Sequence, residues 1–128
     1  MRRYILDANI IFQFFSGSPL VKKFLINNDE RLINAVNLSE FAYHYARRYG
    51  LKASNARLNY LLTFVKFVEV DRTLTEIASR ARVKYNLSLG DSFLIATAER
   101  ERGIIVTSDH ELVERASNDY HVEFVPLM

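Results

Sequence analysis

The sequence predicts an α/β sandwich, a mainly parallel central sheet flanked by helices, and three observations carry that expectation. Short β-rich runs alternate with longer segments whose apolar residues recur at helical spacing, the order expected of strand–helix–strand crossovers. Ile104 to Val106 is a purely apolar run between Gly103 and Thr107, as a strand buried on both faces of a parallel sheet requires. With 128 residues, 49% of them hydrophobic, the chain can build one genuine core, so residues 1–128 are expected to form a single domain. No internal repeat, linker or low-complexity stretch divides them.

Arg3 to Leu6 reads as the first strand, with Asp7 directly at its end. Ala8 to Phe15 reads as a short helix broken by Ser16, Gly17, Ser18 and Pro19, after which Leu20 to Ile26 resumes helical spacing through Val21, Phe24 and Leu25. A second strand is expected over Arg31 to Val36. Asn37 or Ser39 then offers a cap for a helix over Phe41 to Tyr49 that Gly50 ends, which puts Glu40 in the first turn beside a strand end. Ser54 can cap the following helix, with Ala56, Tyr60 and Leu61 to Val65 apolar, ahead of a strand over Phe67 to Val70.

Asp71 to Thr75 reads as a turn rich in capping residues, and Leu74, Ile77, Ala78 and Ala81 carry a helix towards Tyr85. Asn86 and Ser88 mark a break. From Leu89 or Gly90 runs the strongest helix, apolar at Leu94, Ile95 and Ala98, charged at Glu99 to Arg102, and expected to stop at Gly103. The strand Ile104 to Val106 leads into Asp109. A helix over Glu111 to Ala116 and a strand over Val122 to Val125 complete the series before Pro126.

The composition excludes whole classes of chemistry. Without a cysteine there is no disulfide framework, no thiolate zinc site and no thiol nucleophile, so any metal must be held by oxygen or imidazole. No apolar run approaches the roughly 20 residues needed to span a bilayer, and Asp7 and Asn9 interrupt the N-terminal stretch where a signal peptide's apolar region would lie. A soluble cytoplasmic protein with no membrane partner is the expectation.

A net charge of +2 says little about partners, but its distribution says more. No acidic residue falls between Glu40 and Glu69, whereas Arg47, Arg48, Lys52, Arg57 and Lys66 do, interleaved with Tyr43, Tyr45, Tyr49, Tyr60 and Phe64. Such a surface suits a polyanion, because cations neutralise phosphates and rings stack on bases. The same spacing suits a helix pair packed by its aromatics or a subunit interface.

Asp7, Glu40 and Asp109 each follow a predicted strand, and Asp91 falls in the first turn of a helix. In open α/β sheets ligands bind beyond the carboxyl ends of the strands, so the four acids can converge on one cleft. Carboxylates gathered in a low-dielectric site repel unless cations or raised pKa values relieve them. Magnesium or manganese, hard ions that take carboxylate and water oxygens, would do so, and one or two ions suit four acids. No Ser, His and Asp triad competes with this reading. His44, His110 and His121 are expected to be structural or solvated, and Arg2 and Arg3 merely exposed.

The words around these acids resemble a known family. Tyr-Ile-Leu-Asp-Ala-Asn at 4–9, Asn-Leu-Ser-Glu-Phe at 37–41, Leu-Gly-Asp-Ser-Phe-Leu-Ile-Ala-Thr-Ala at 89–98 and Val-Thr-Ser-Asp at 106–109 look like the four acidic motifs of PIN domains, in order and across almost the whole chain. The small size looks most like the VapC toxins of toxin–antitoxin pairs. The resemblance implies a PIN-like α/β/α sandwich and a metal-dependent endoribonuclease with Asp7, Glu40, Asp91 and Asp109 as metal ligands and catalytic acids. It also implies supporting roles for Asn9 and Thr107, although the family often carries Thr or Ser where Asn9 stands. An RNA substrate, a VapB-like antitoxin and a homodimer are implied likewise, with the aromatic helices between Phe41 and Phe64 as the expected contact surface. A stand-alone RNA-processing nuclease would share the same site. A phosphoacceptor receiver domain would need a Lys after a late strand, and beyond position 66 the chain has only Lys84, inside a predicted helix.

Overall fold

The computed structural model describes residues 1–127. Strand β1 (Arg3–Leu6) runs into helix α1 (Ala8–Phe15), α2 (Pro19–Leu25) and strand β2 (Glu30–Asn34). Helices α3 (Ala35–Tyr49) and α4 (Leu51–Leu61) precede β3 (Lys66–Val68), and α5 (Arg72–Tyr85) and α6 (Leu89–Glu101) precede β4 (Ile104–Thr107). Helix α7 (His110–Ala116) and β5 (Val122–Phe124) follow. The five strands lie in the order β3-β2-β1-β4-β5, and each neighbouring pair is parallel, so the expected α/β sandwich is present.

Strand alternation divides the core in two. Tyr4, Leu6, Ile33 and Val106 point to one face, where Ile10, Ile11, Val21, Phe24, Leu38, Phe41 and Leu61 from α1 to α4 cover them. Ile5, Leu32 and Ile105 point to the other, under Leu74, Ala78, Leu94, Ile95 and Leu112 from α5 to α7. Ile5 sits in register with Leu32 on one side and Ile105 on the other, which makes β1 the centre of the sheet. Helix α6 is buried continuously from Asp91 to Ala98, so it is apolar or small all round rather than amphipathic.

Several boundaries differ from the sequence expectation, each for a local reason. The second strand ends at Asn34 rather than Val36, because the Asn34 side chain accepts the Asn37 N–H and starts α3 early. Glu40 therefore lies beyond the first turn of α3, and neither Asn37 nor Ser39 is its cap. Gly50, at φ 97°, joins α3 directly to α4, so Ser54 lies inside α4 with its hydroxyl donating to the Ala42 carbonyl. Helix α5 begins at Arg72 under the Asp71 cap, which shortens the expected turn. Helix α6 ends at Arg102 in the left-handed conformation, not at Gly103. Gly103 is instead a close-approach residue: a Cβ there would meet the Ile5 side chain at 2.6 Å. Among the described residues no helix is long and apolar enough to cross a membrane.

Candidate active site

The strand order reverses direction between β1 and β4, and the acids gather at the carboxyl ends of those two strands. Asp7 follows β1, Asp109 follows β4, Asp91 opens α6 and Glu40 projects from α3. All four line a single cleft of about 660 Å³ together with Ala8, Asn9, Phe12, Phe41, His44, Ser88 and Ser108. No lysine or arginine is among these residues.

Each acid is oriented by neighbours. The Asp7 carboxylate accepts the Ala8 N–H at 2.7 Å and the Thr107 hydroxyl at 2.7 Å, while the Asp7 N–H donates to the Val106 carbonyl. Thr107 also accepts the Asp109 N–H at 3.1 Å, so one buried hydroxyl ties the ends of β1 and β4 together. Asp109 caps α7 by accepting the Glu111 N–H, and the Asp91 N–H donates to the Ser88 hydroxyl that caps α6. Asn37 donates to Glu40 Oε1 at 3.4 Å and to the Gly90 carbonyl at 3.1 Å. Glu40 lies against Gly90, where a Cβ would come within 2.1 Å of Oε1. The glycine of the Leu-Gly-Asp word thus makes room for the glutamate of another motif.

Burial and mutual repulsion dominate the electrostatics. Burial, opposed by the Thr107 and Ala8 hydrogen bonds and reinforced by Glu40 and Asp109, pushes Asp7 up to about 6. Asp91 is raised further, first by burial, then by its hydrogen bond to Asp109 and by the charges of Asp7, Asp109 and Glu40. Asp109 is lowered, chiefly because it accepts from Asp91 and from the Glu111 and Leu112 N–H groups. Asp91 and Asp109 therefore titrate as a pair, Asp91 displaced upward and Asp109 downward.

Hard divalent ions fit this donor set by its chemistry: carboxylate oxygens, no thiolate, no competing cation, and repulsion that a bound charge would relieve. Among the described residues no three of these side chains are placed so that they could hold an ion together as they stand. An open arrangement suits ions that keep several waters.

Thr107 is buried between Asp7 and Asp109 and bonds to both. Asn9 lines the cleft but is exposed, and its side chain makes no hydrogen bond to an acid among the described residues. Sequence reasoning missed several polar residues. Asn34 donates to Asn37 Oδ1, the Phe93 carbonyl and Thr97 Oγ1, linking β2, α3 and α6 behind the acids. Gln13 donates to Ser108 at 2.7 Å, tying α1 to the loop that carries Asp109, and its Oε1 is buried with no hydrogen-bond partner among the described residues. The Asn34-x-x-Asn37-x-x-Glu40 spacing was the one available signal for the first network; nothing local marks Gln13.

A sequence model of the PIN domain matches residues 4–118. No curated protein matches the chain. Among solved structures, a toxin–antitoxin complex from Klebsiella pneumoniae aligns with a TM-score of 0.78 at 19% identity, covering 97% of this chain and 99% of that one. The DNA-bound VapBC of Salmonella typhimurium aligns with a TM-score of 0.78 at 16% identity, over 97% of this chain and 98% of that one. VapC20 of Mycobacterium tuberculosis, a toxin that cleaves the sarcin–ricin loop, gives 0.73 at 17% identity, over 91% and 95%. At such identities the likeness is one of fold.

Proposed function

The chain belongs to the PIN domain family, and from that premise we propose that it is a metal-dependent endoribonuclease, the toxin of a VapBC-type toxin–antitoxin pair. The observation that carries the reading is the convergence of Asp7, Glu40, Asp91 and Asp109 on one cleft at the switch point of the sheet. Structural likeness to VapBC complexes and to VapC20 supports the toxin assignment.

In this reading the four carboxylates hold one or two Mg²⁺ or Mn²⁺ ions, which when bound would activate water and offset charge on the RNA phosphate. The chain's own residues prepare that chemistry. Thr107 and the Ala8 N–H fix Asp7 in one rotamer, and the Glu111 N–H fixes Asp109. Asn37 and the Glu40–Gly90 contact set how far Glu40 reaches into the cleft. Asp91 must release its proton for all four groups to act as ligands, so ion binding and proton release are linked.

The proposed partners are a VapB-like antitoxin that inhibits the enzyme and a second copy of the chain. Tyr43, Leu51 and Tyr60, all exposed on α3 and α4, are the proposed protein-contact surface. The test is induced expression followed by sequencing of RNA 5′ ends, with Asp91→Asn as control. Discrete new ends that vanish in the variant are expected; an identical cleavage pattern from Asp91→Asn contradicts the assignment.

A further inference from the structure

The arginines of α3 and α4 are held by rings, in contrast to four arginines elsewhere that are held by carboxylates. Arg3, Arg72, Arg100 and Arg115 are each ion-paired with a carboxylate. Arg47, Arg48 and Arg57 have no carboxylate partner among the described residues and rest on rings instead. Arg47 lies over Tyr43 at 5.7 Å, Arg57 over Phe15 at 4.8 Å with a hydrogen bond to the Tyr45 hydroxyl, and Arg48 over Tyr49 at 5.5 Å and Phe12 at 6.0 Å. A ring orients a guanidinium without neutralising it, so the positive charge stays available.

Arg48 is the one of the three that rests on a residue of the acid cleft. Phe12 lines that cleft, and so does His44. Glu40, His44 and Arg48 follow one another at four-residue intervals along α3, and such positions share a helix face. That face therefore begins at the acid cluster, passes exposed His44 and ends at exposed Arg48, leaning on Phe12 at the cleft wall. Negative groups that hold cations at one end and an uncompensated cation at the other suit a chain of phosphates: one at the reacting centre, the next along the helix.

We propose that Arg48, with His44, binds a phosphodiester of single-stranded RNA flanking the one that is cut, and that Phe12 offers the apolar surface for the adjoining base. The site takes phosphate and base faces, so it adds affinity without reading sequence. It rests on the nuclease reading above, and it names α3's cleft-side face as the path of the substrate strand. Protein contacts then fall to the opposite flank, where Tyr43 and Leu51 line a separate groove.

The experiment is fluorescence anisotropy with a labelled unstructured oligoribonucleotide, in an Asp7→Asn background that cannot cut it. Arg48→Ala is compared with Arg72→Ala, an exposed arginine at the start of α5. Arg48→Ala should weaken binding about 5- to 10-fold for any sequence and reduce the slope of log K against log salt by about 0.7, as loss of one phosphate contact on a single strand does. Arg72→Ala should change neither. In the cutting enzyme the Arg48→Ala loss should fall on KM and spare kcat. If the parent binds and cuts RNA while Arg48→Ala matches it in affinity and salt slope, the strand path is wrong and the nuclease reading stands. If Arg48→Ala instead alters only assembly, seen by light scattering, the face is a protein interface and the proposal falls. Failure of the parent itself to bind or cut RNA removes both readings together.

Discussion

Asp7 illustrates how function and stability oppose one another at a single residue. Its carboxyl is held at about 6 rather than near 3.8, so the folded, metal-free protein binds a proton that the unfolded chain has already lost. The sign follows: this stabilisation is complete below about pH 4 and is lost as pH rises through 6. Asp91 acts in the same direction, and Asp109, lowered, acts in the opposite one. Thermal melts of the metal-free protein should show the midpoint falling from pH 5 to pH 7.5, with about 1.4 kcal/mol of that fall attributable to Asp7, the part of its shift still to be lost above pH 5. Asp7→Asn should lessen that fall and be the more stable protein at pH 7.5, while cleaving nothing. A midpoint that rises over this range contradicts the electrostatic picture. Gly90 gives a second residue-level prediction. Alanine suits a helix better than glycine by about 1 kcal/mol, and the group it displaces is the mobile end of Glu40. Gly90→Ala should melt within a few degrees of the parent yet bind Mn²⁺ about 10-fold more weakly, as calorimetry would show; unchanged affinity would mean that Glu40 is not a ligand.

At the scale of elements, the β2–α3 junction shows what the sequence conveyed and what it did not. Arg31 to Val36 reads as a strand from its apolar content, and Glu40 as an acid in the first turn of the helix after it. The strand is there but stops at Asn34, and Glu40 lies beyond the first turn of α3. The strand ends two residues early and the helix begins six residues early because Asn34, buried and fully engaged, caps α3 through the Asn37 N–H while its amide reaches across to α6. Such a network depends on contacts between residues 59 and 63 positions apart, and no local pattern encodes it. The Gly50 junction misled for a related reason: at φ 97° it both ends α3 and starts α4, so Ser54 is not needed as a cap and is used instead to bond Ala42. Strand cores and the acids after them were legible, because apolar runs and strand-end carboxylates are local features. Asn34→Ala should cost about 2–4 kcal/mol, from the lost cap and the polar atoms left unpaired in the core, measured by urea denaturation. A loss under about 0.5 kcal/mol would show that the network is dispensable.

For the whole molecule, the sheet order explains why the four motifs, spread from residue 7 to residue 109, act on one volume. Central β1 and its neighbour β4 each end in an aspartate, Thr107 joins those ends, and α3 and α6 deliver Glu40 and Asp91 from the two sides of the switch point. The cleft that results is lined by four acids, with one arginine, Arg48, resting on Phe12 at its wall. That arrangement is the physical basis for reading it as a place where phosphates meet divalent cations. The most direct measurement is a Mn²⁺ titration by calorimetry, paired with RNA cleavage on the same preparations of the parent, Asp7→Asn and Asp91→Asn, each shown to be folded by circular dichroism. The account predicts Mn²⁺ binding and Mn²⁺-dependent cleavage by the parent, and loss of both in the two variants. Folded variants that still cut RNA with Mn²⁺ present would contradict it.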